Sequence, residues 1–463
     1  MKRAVARGLA AICSAAVLAG GCDTGAPSLA ITLRSPPGPN LLDGVDTFVF
    51  SVADGQGDVE VLRRFAASAG PLTLDQVPFG AGLVFALDGL YMGATSIVSG
   101  RSCPIDIPDR DHLPAVSMFV ARNGTFAAAA TPAVALRLAP FAIVRADGDV
   151  LLAGGDVNGS TTAAVDVFDP RPGTWSAGAP LATARTAPAL TVLANGDVLI
   201  AGGHGDGGAA VSAVEVYRNG EGFQSVADTP ALALIDSAAA TLPDGSGLIA
   251  GGSVAGAATT ATWLFQADTL TTAAPLVVAR SGHTLSAVGS GGFAAAFAIG
   301  GSDGTGAPLA SIELYNPRAA GGNAFALEPA ALATARTGHT ATVLPSSQIL
   351  IVGGRGSGGQ VLASAELFDP LTVTITSAGM LAQARTGHAA TLLPDGRVLV
   401  TGGADAQGRP LDSAEIYDPA LNAFAAAQPL TTARAGHVAV SLCDQTVLLA
   451  GGGAGAEIYS PPR

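Results

Sequence analysis

Short apolar runs ending in a Gly-Gly doublet recur seven times along the chain, at spacings of 48 to 53 residues. The clearest repeat, residues 385–430, predicts four strands: His388–Leu393, Val398–Thr401, Ala414–Tyr417 and Phe424–Ala427. Asp395-Gly396 between the first two is a typical two-residue hairpin turn. A period near 50 residues made of four short strands is typical of the blades of a β-propeller. The doublets are Gly154-Gly155, Gly202-Gly203, Gly251-Gly252, Gly300-Gly301, Gly353-Gly354, Gly402-Gly403 and Gly451-Gly452.

The two ends of this repeated region complement each other. The last repeat contains three strands and stops at Tyr459–Arg463. Before the first repeat, Gly124-Thr125-Phe126 followed by Ala127–Ala130 has the pattern of the missing fourth strand. Pairing of the first and last strands would leave no open sheet edge. The sequence therefore predicts an all-β, seven-bladed propeller over residues 121–463, closed by an N-terminal strand.

The repeat resembles the kelch family, in which a glycine doublet after an apolar strand is followed by Glu-x-Tyr-Asp-Pro and an aromatic residue. Glu415-Ile416-Tyr417-Asp418-Pro419 with Phe424 carries the resemblance most clearly. Among kelch-like proteins the galactose oxidases are the enzymatic precedent, which implies copper held by paired Tyr and His and a Tyr linked to Cys. The tyrosines of this chain stand mostly in repeat positions, so we expect no such site.

Residues 29–120 lack the Gly-Gly repeat and instead have apolar runs separated by Gly and Pro turns. They predict a small β-sandwich-like domain before the propeller. Its expected strands are Leu29–Leu33, Thr47–Val52, Val59–Phe65, Val84–Leu87 and Val116–Val120.

The first 21 residues have a basic start, an apolar stretch and small residues before Cys22, as in a secretory signal. A cysteine in this place resembles a bacterial lipobox. The resemblance implies a lipoprotein-type signal peptide over residues 1–21, lipidation of Cys22, and an anchor and tether over 22–28. The alternative is ordinary signal cleavage. We expect an exported protein, periplasmic or at the cell surface, that touches the membrane only through its lipid.

The chain is acidic, with a formal net charge of −13, and loss of the signal would leave 20 basic against 36 acidic residues. This charge argues against nucleic acid as a partner. Two cysteines remain in the folded part, Cys103 and Cys443, and they can pair in an oxidising compartment. No Cys/His cluster has the spacing of a metal site. We expect no metal, no cofactor and a monomer.

Arg and an acidic residue recur together in six repeats. The seventh has Leu234 and Trp263 instead, and loss of both partners together is expected for a buried salt bridge. The Arg-x-Gly-His motifs that contain four of these arginines also supply His283, His339, His388 and His437, which we interpret as scaffold residues. The predicted pairs are Arg137 with Asp166, Arg185 with Glu215, Arg280 with Glu313, Arg336 with Glu366, Arg385 with Glu415, and Arg434 with Glu457.

The loops after the Gly-Gly doublets differ between repeats and should surround the central channel on one face, where a rigid scaffold usually carries its binding residues. We expect a noncatalytic binding module at the bacterial cell envelope, with a protein or glycan ligand. The alternative is a propeller enzyme acting on carbohydrate, galactose-oxidase-like or sialic-acid-epimerase-like, which requires titratable groups that converge in the channel. A spacer without a ligand is a third possibility. The candidate ligand-binding residues are Asp156, His204, Asp206, Asp303, Arg355, Asp405 and Arg409.

Overall fold

The computed structural model describes residues 16–17, 29–36, 41–67, 78–109, 111–133, 137–227, 234–290, 293–317 and 324–462. Cys22, the anchor segment 22–28 and most of the predicted signal peptide lie outside these residues. Within them the chain is β-structure apart from two single-turn 3-10 segments, Asp206–Gly208 and Ser357–Gly359. No helix in these ranges is long and apolar enough to cross a membrane.

The N-terminal domain is one curled sheet that forms a half-barrel. Seven of its strands pair in the order β1-β2-β8-β6-β5-β3-β4, and β7 pairs with the first part of the long strand β5. Its core includes Phe50, Phe85, Val98 and Met118, all buried. The strands are β1 Ala16–Val17, β2 Ala30–Arg34, β3 Thr47–Ala53, β4 Val59–Ala66, β5 Gly80–Tyr91, β6 Thr95–Arg101, β7 Ile105–Ile107 and β8 Val116–Arg122.

Four strands of this domain differ from expectation. The predicted Val84–Leu87 is part of a strand of 12 residues, and β1, β6 and β7 were not predicted. The long β5 and its partner β6 follow from one turn, because Met92 and Gly93 adopt positive φ of 51° and 65° and fold β5 back onto β6. Methionine gives no turn signal, so the sequence pattern did not show this hairpin.

Seven four-stranded antiparallel sheets follow, which confirms the seven-bladed propeller with a preceding β domain. In each blade we call the strands A to D from the first to the last in the sheet order. In blades 1 to 3 and 5 to 7, strand B is mostly apolar and buried along its whole length, since it lies inside the blade stack.

The strands of blades 1 to 3 follow in order A to D. Blade 1 has Phe141–Val144, Val150–Ala153, Val165–Asp169 and Thr174–Ala177; blade 2 has Ala189–Val192, Val198–Ala201, Val214–Arg218 and Gly222–Ser225; blade 3 has Ala238–Thr241, Gly247–Ala250, Thr262–Gln266 and Thr269–Thr272. Two of the loops between strands B and C form small hairpins, Asp156–Val157 with Ser160–Thr161 and Ser253–Val254 with Ala257–Ala258.

Blades 4 to 7 have the same arrangement. Blade 4 has Thr284–Ser290, Phe293–Ile299, Ser311–Asn316 and Ala324–Ala331; blade 5 has Thr340–Val343, Ile349–Val352, Ser364–Asp369 and Thr374–Met380; blade 6 has Ala389–Leu392, Val398–Thr401, Ala414–Asp418 and Ala423–Ala426; blade 7 has Val438–Ser441, Val447–Ala450, Ala456–Ser460 and Thr125–Ala128.

The fourth strand of blade 7 comes from the N-terminal side of the propeller. Thr125–Ala128 pairs antiparallel with Ala456–Ser460, and Phe126 stacks on Tyr459 with ring centroids 4.7 Å apart. Four other blades have the same aromatic pair between strands C and D, at 4.9 to 5.1 Å. The closing strand therefore occupies the position that strand D has elsewhere.

All six Arg–acid pairs are in contact and buried, with nitrogen–oxygen distances of 2.5 to 2.8 Å. Each arginine also donates to the carbonyl of the first glycine in its doublet, as Arg385 does to Gly402 at 2.7 Å. The glutamates bind backbone N–H groups of the segment before the arginine, so each pair ties three parts of a blade together. In blade 3, Leu234 and Trp263 are buried in an apolar cluster instead.

A disulfide joins Cys103 of the N-terminal domain to Cys443 in the hairpin turn of blade 7. Arg34 adds a second link, because its guanidinium donates to the carbonyl oxygen of Pro170 in blade 1. The N-terminal domain is thus fixed to the propeller beside the closing strand.

Candidate functional site

Seven residues, one per blade, surround the channel on the face that carries the Gly-Gly loops, which we call the loop face. They occupy the third position of the Arg-x-Gly-His motif and its counterparts, and all have φ between 43° and 62°. Backbone hydrogen bonds link successive members, such as Gly338 N–H to the Gly282 carbonyl at 3.0 Å and Ala139 N–H to the Gly436 carbonyl at 3.1 Å. We call them the axial ring: Ala139, Ala187, Asp236, Gly282, Gly338, Gly387 and Gly436.

The axial ring is not symmetric. Blades 4 to 7 place glycine in it, as positive φ favours, whereas blades 1 to 3 place Ala139, Ala187 and Asp236 there. Non-glycine residues held in this left-handed region cost free energy and cluster at functional sites. Asp236 is the ring's charged member, so blade 3 brings a carboxylate to the channel mouth.

His204 reaches this carboxylate from the neighbouring blade. It directly follows Gly202-Gly203, and its backbone is held by two hydrogen bonds to Thr186, at 2.8 and 2.9 Å. The imidazole Nε2 lies 3.2 Å from Oδ1 of Asp236, and the side chain of His204 is 29% exposed. The pair is therefore fixed by the fold and accessible to a solute.

A pocket of about 370 Å³ opens beside His204, between blades 1 and 2. Asp156, Thr161 and Thr186 line it together with Ala139 and Ala187 of the axial ring and several glycines. The predicted residues Asp156 and His204 thus share one pocket.

Asp206 connects the two loops that border this pocket. Its Oδ1 accepts hydrogen bonds from the N–H of Thr161 at 2.6 Å and from the Thr161 hydroxyl at 2.9 Å. These bonds lower the pKa of Asp206, so it is anionic at neutral pH. The loops of blades 1 and 2 are therefore joined at the rim.

The other four predicted loop residues do not line this pocket. Asp303 accepts bonds from Thr305 and Ala307, and Asp405 pairs with Arg409 at 2.8 Å and binds two N–H groups of its own loop. Arg355 donates to the Gly359 carbonyl at 3.4 Å. These side chains stabilise their own turns, and the bonds lower the pKa of Asp303 and of Asp405.

The four motif histidines lie between blades and are buried. Burial first, and then the positive charge of the adjacent arginine, lower the pKa of each to about 3, so all are neutral at ordinary pH. Nε2 of His339, His388 and His437 bonds to the hydroxyl of a threonine in the preceding blade at 2.9 to 3.1 Å. Neither ring nitrogen of His283 has a partner among the described residues.

The search of family models found no match, and no curated protein matches the chain. Among solved structures, it is similar to a fungal alcohol oxidase of the AA5 family in complex with copper, at 18% identity and a TM-score of 0.57. The alignment covers 73% of this chain and 76% of that one. At this identity the likeness shows the fold.

The prediction of a noncatalytic module is contradicted by this comparison, because the matched propeller is that of an enzyme. The prediction rested on the absence of recognisable catalytic residues at the repeated positions. Propeller enzymes place their reactive groups in loops and links that differ between blades, which repeat positions do not reveal.

The residues of this chain do not fit the Tyr and His copper set of the galactose oxidases. The motif histidines are enclosed between blades at the loop face, whereas Tyr217, Tyr417 and Tyr459 pair with the first residue of strand B, at the opposite end of the blade. Both cysteines of the folded part are joined in the disulfide. Within the described ranges, no group of three or more His, Cys, Asp or Glu is arranged to hold a metal ion.

Sequence reasoning missed Asp236. The signal was present, since alignment of the seven motifs puts Asp236 where four blades have glycine. A glycine that recurs at one place indicates positive φ, and an aspartate there is strained and close to the axis. Its contact with His204 spans 32 residues and two blades, so no local pattern shows it.

Proposed function

We propose that this protein is an enzyme that acts on a carbohydrate at the pocket beside His204, by proton transfer. The single observation that carries the proposal is the His204–Asp236 pair, an imidazole oriented by a carboxylate at the wall of an open pocket. A histidine held in this way is a common general base and acid.

The geometry assigns a role to each partner. We assign the tautomer in which Nε2–H of His204 donates to Asp236 across their 3.2 Å contact, because it leaves the lone pair on Nδ1 available as a base. Asp236 also stabilises the imidazolium that forms when Nδ1 takes a proton. The hydroxyls of Thr161 and Thr186 and the carboxylate of Asp156 offer hydrogen-bond partners to a hydroxyl-rich ligand.

The reaction that needs no further group is exchange of sugar anomers. His204 removes the proton of the anomeric hydroxyl, the bond between the anomeric carbon and the ring oxygen breaks, and the imidazolium so formed returns that proton to the ring oxygen. Closure on the other face of the carbonyl reverses these steps and yields the second anomer. Atoms and charge balance, and no electrons are transferred.

Two further observations support an enzyme acting on a polyol. The matched propeller is an alcohol oxidase, and a sugar is a polyol. The pocket volume of about 370 Å³ suits a monosaccharide. Because the tyrosines and histidines of this chain do not fit a copper site, we propose no oxidation step.

Anomer exchange in a panel of monosaccharides, measured by NMR saturation transfer, tests the proposal. The wild type should accelerate exchange for at least one sugar, and His204→Gln should lower the rate by at least 100-fold, the lower end of general acid–base contributions. His112→Gln is the matched control, because His112 also pairs with a carboxylate, Asp109, at 2.8 Å, but in the N-terminal domain. Equal rates in His204→Gln and the wild type would contradict the assignment.

We also propose that the protein is exported and anchored through Cys22, with kelch-like repeats in its propeller. The Cys103–Cys443 disulfide supports an oxidising compartment. Metabolic labelling with a fatty-acid analogue should mark the wild type and not Cys22→Ser, which should be released in soluble form. Labelling of both forms would contradict the anchor.

A further inference from the structure

A second pocket, of about 320 Å³, lies at the junction of the N-terminal domain with blades 6 and 7. We call it the seam pocket. Its walls come from the end of β6, from the hairpin turns between strands A and B of blades 6 and 7, and from the end of the chain. Those turns lie at the opposite end of each blade from the Gly-Gly loops, so the seam pocket is separate from the one beside His204.

Arg101 brings a guanidinium to the wall of this pocket. It is the last residue of β6, and its Nε is shielded from water with no hydrogen-bond partner among the described residues, so a ligand in the pocket can reach only the other guanidinium nitrogens. Buried guanidinium nitrogens are normally paired, because an unpaired one loses its hydration without compensation. The planar guanidinium favours a carboxylate or another flat oxyanion.

Gln445 supplies a second polar group under backbone strain. It has φ of 68° at the position where Gly148, Gly196, Gly245 and Gly396 occupy the equivalent turns, and Ser347 has the same φ in the turn of blade 5. Glycine would adopt this conformation at lower cost, so replacing Gln445 by glycine should relieve strain. Gln445 lines the seam pocket together with Arg101.

Asp444 sets the charge that the pocket accepts. It is only 5% exposed, and its Oδ1 accepts bonds from the N–H and hydroxyl of Thr446 at 3.0 and 2.6 Å. Burial raises the pKa of Asp444. The other acid of the wall, Asp395, pairs with Arg397 at 2.5 Å. With two acids nearby, a ligand carrying one negative charge is favoured over a dianion.

The remaining wall is largely apolar. Phe119 and Pro394 line the pocket, and Ser460 adds a small polar residue. Aromatic and proline surfaces pack against the C–H face of a sugar ring, while polar groups at the rim bind its hydroxyls.

We propose that the seam pocket binds a sugar acid of monosaccharide size, a hexuronic acid, whose carboxylate pairs with Arg101. The amide of Gln445 donates to the second carboxylate oxygen, Asp444 accepts a hydrogen bond from a ring hydroxyl, and Phe119 packs on the ring. This site is independent of the proposed reaction at His204.

Titration calorimetry of the whole protein with glucuronic acid tests the proposal, with glucose and inorganic phosphate as reference probes. We expect one saturable site for glucuronate, with glucose and phosphate at least tenfold weaker. Absence of glucuronate binding would overturn the proposal. An affinity for glucose equal to that for glucuronate would mean that the ligand carboxylate plays no role. An affinity for phosphate equal to that for glucuronate would show an adventitious ion only. Either result would also overturn the proposal.

Arg101→Gln should weaken glucuronate binding at least tenfold. Arg145→Gln is the matched control, because Arg145 also has a shielded, unpartnered Nε in a hairpin turn of blade 1 but is paired with Asp147 at 2.7 Å. Gln445→Gly gives a second test in a variant that should fold at least as well as the wild type, and it should also weaken binding. Wild-type affinity in both Arg101→Gln and Gln445→Gly would overturn the site, whatever the outcome at His204.

Discussion

Blades 4 to 7 and blades 1 to 3 share one architecture but differ where they meet the channel. The first group repeats Arg-x-Gly-His, with glycine in the axial ring and histidine enclosed between blades. The second group has side chains in the ring and proline or serine in place of the histidine, at Pro140, Pro188 and Ser237. The difference indicates two roles. The motif residues of blades 4 to 7 stabilise the fold, whereas blades 1 to 3 contain the pocket and the His204–Asp236 pair.

The energetic cost of this arrangement is visible in both groups. The regular blades hold four neutral histidines and most of the buried ion pairs, so their stability depends on charge state. The irregular blades hold Ala139, Ala187 and Asp236 at positive φ, which is strain that a scaffold does not need.

The largest expected effect is acid sensitivity, located in blades 4 to 7. The four motif histidines have a pKa of about 3 when folded, against about 6.5 when unfolded. Below pH 6.5 the unfolded chain therefore binds protons that the folded one excludes, and the unfolding free energy falls. Each histidine contributes at most about 1.4 kcal/mol per pH unit. Urea unfolding at pH 7, 6 and 5 should show this loss, and constant stability would contradict the neutral, buried state.

Arg385→Ala should destabilise the protein by about 3–5 kcal/mol, because it leaves Glu415 buried without its cation. The guanidinium also donates to Gly402 and Ser413, so several bonds are lost together. Denaturant unfolding of both single variants and the double variant measures the coupling, expected to be at least about 0.5 kcal/mol. Leu234→Ala in blade 3 is the apolar comparison. Additive losses of unfolding free energy in the Arg385 and Glu415 variants would mean that the contact between the two side chains does not contribute to stability.

A smaller gain is expected at the boundary between the two groups. His388 bonds to Thr340, the first residue of strand A in the preceding blade, and His437 bonds to Thr401, the last residue of strand B. His283 faces blade 3, where these two positions are occupied by Ala238 and Ala250. Ala238→Thr should supply the missing hydroxyl and raise the unfolding free energy by about 1 kcal/mol. Ala238→Val controls for added volume, and equal effects of Thr and Val would exclude the hydrogen bond.

Much of this molecule could be predicted from its sequence, because propeller blades repeat the same physics at a fixed period. The blade number followed from the glycine doublets, and the salt-bridge partners followed from the joint loss of charge at Leu234 and Trp263. The disulfide partners were only a possibility in the sequence, since Cys103 and Cys443 are 340 residues apart.

The site was harder to predict because it depends on departures from the repeat. Asp303, Arg355, Asp405 and Arg409 were chosen for their chemistry, but short loops bend back and satisfy such side chains locally. Asp236 was overlooked because it lies in a link before strand A and not in a loop after a doublet. The seam pocket depends on how two domains pack, which no pattern within either domain encodes.

The central claim is that blade 3 accepts strain at Asp236 in order to orient His204. Asp236→Gly tests it most directly, because glycine is what four other blades place at this position of the axial ring. Thermal unfolding and anomer exchange should be measured on the same sample, with Ala187→Gly as the control for strain alone. The account predicts that Asp236→Gly is more stable than the wild type, by about 1 kcal/mol, and has lost most of its activity. A variant that gains stability and keeps full activity would contradict it.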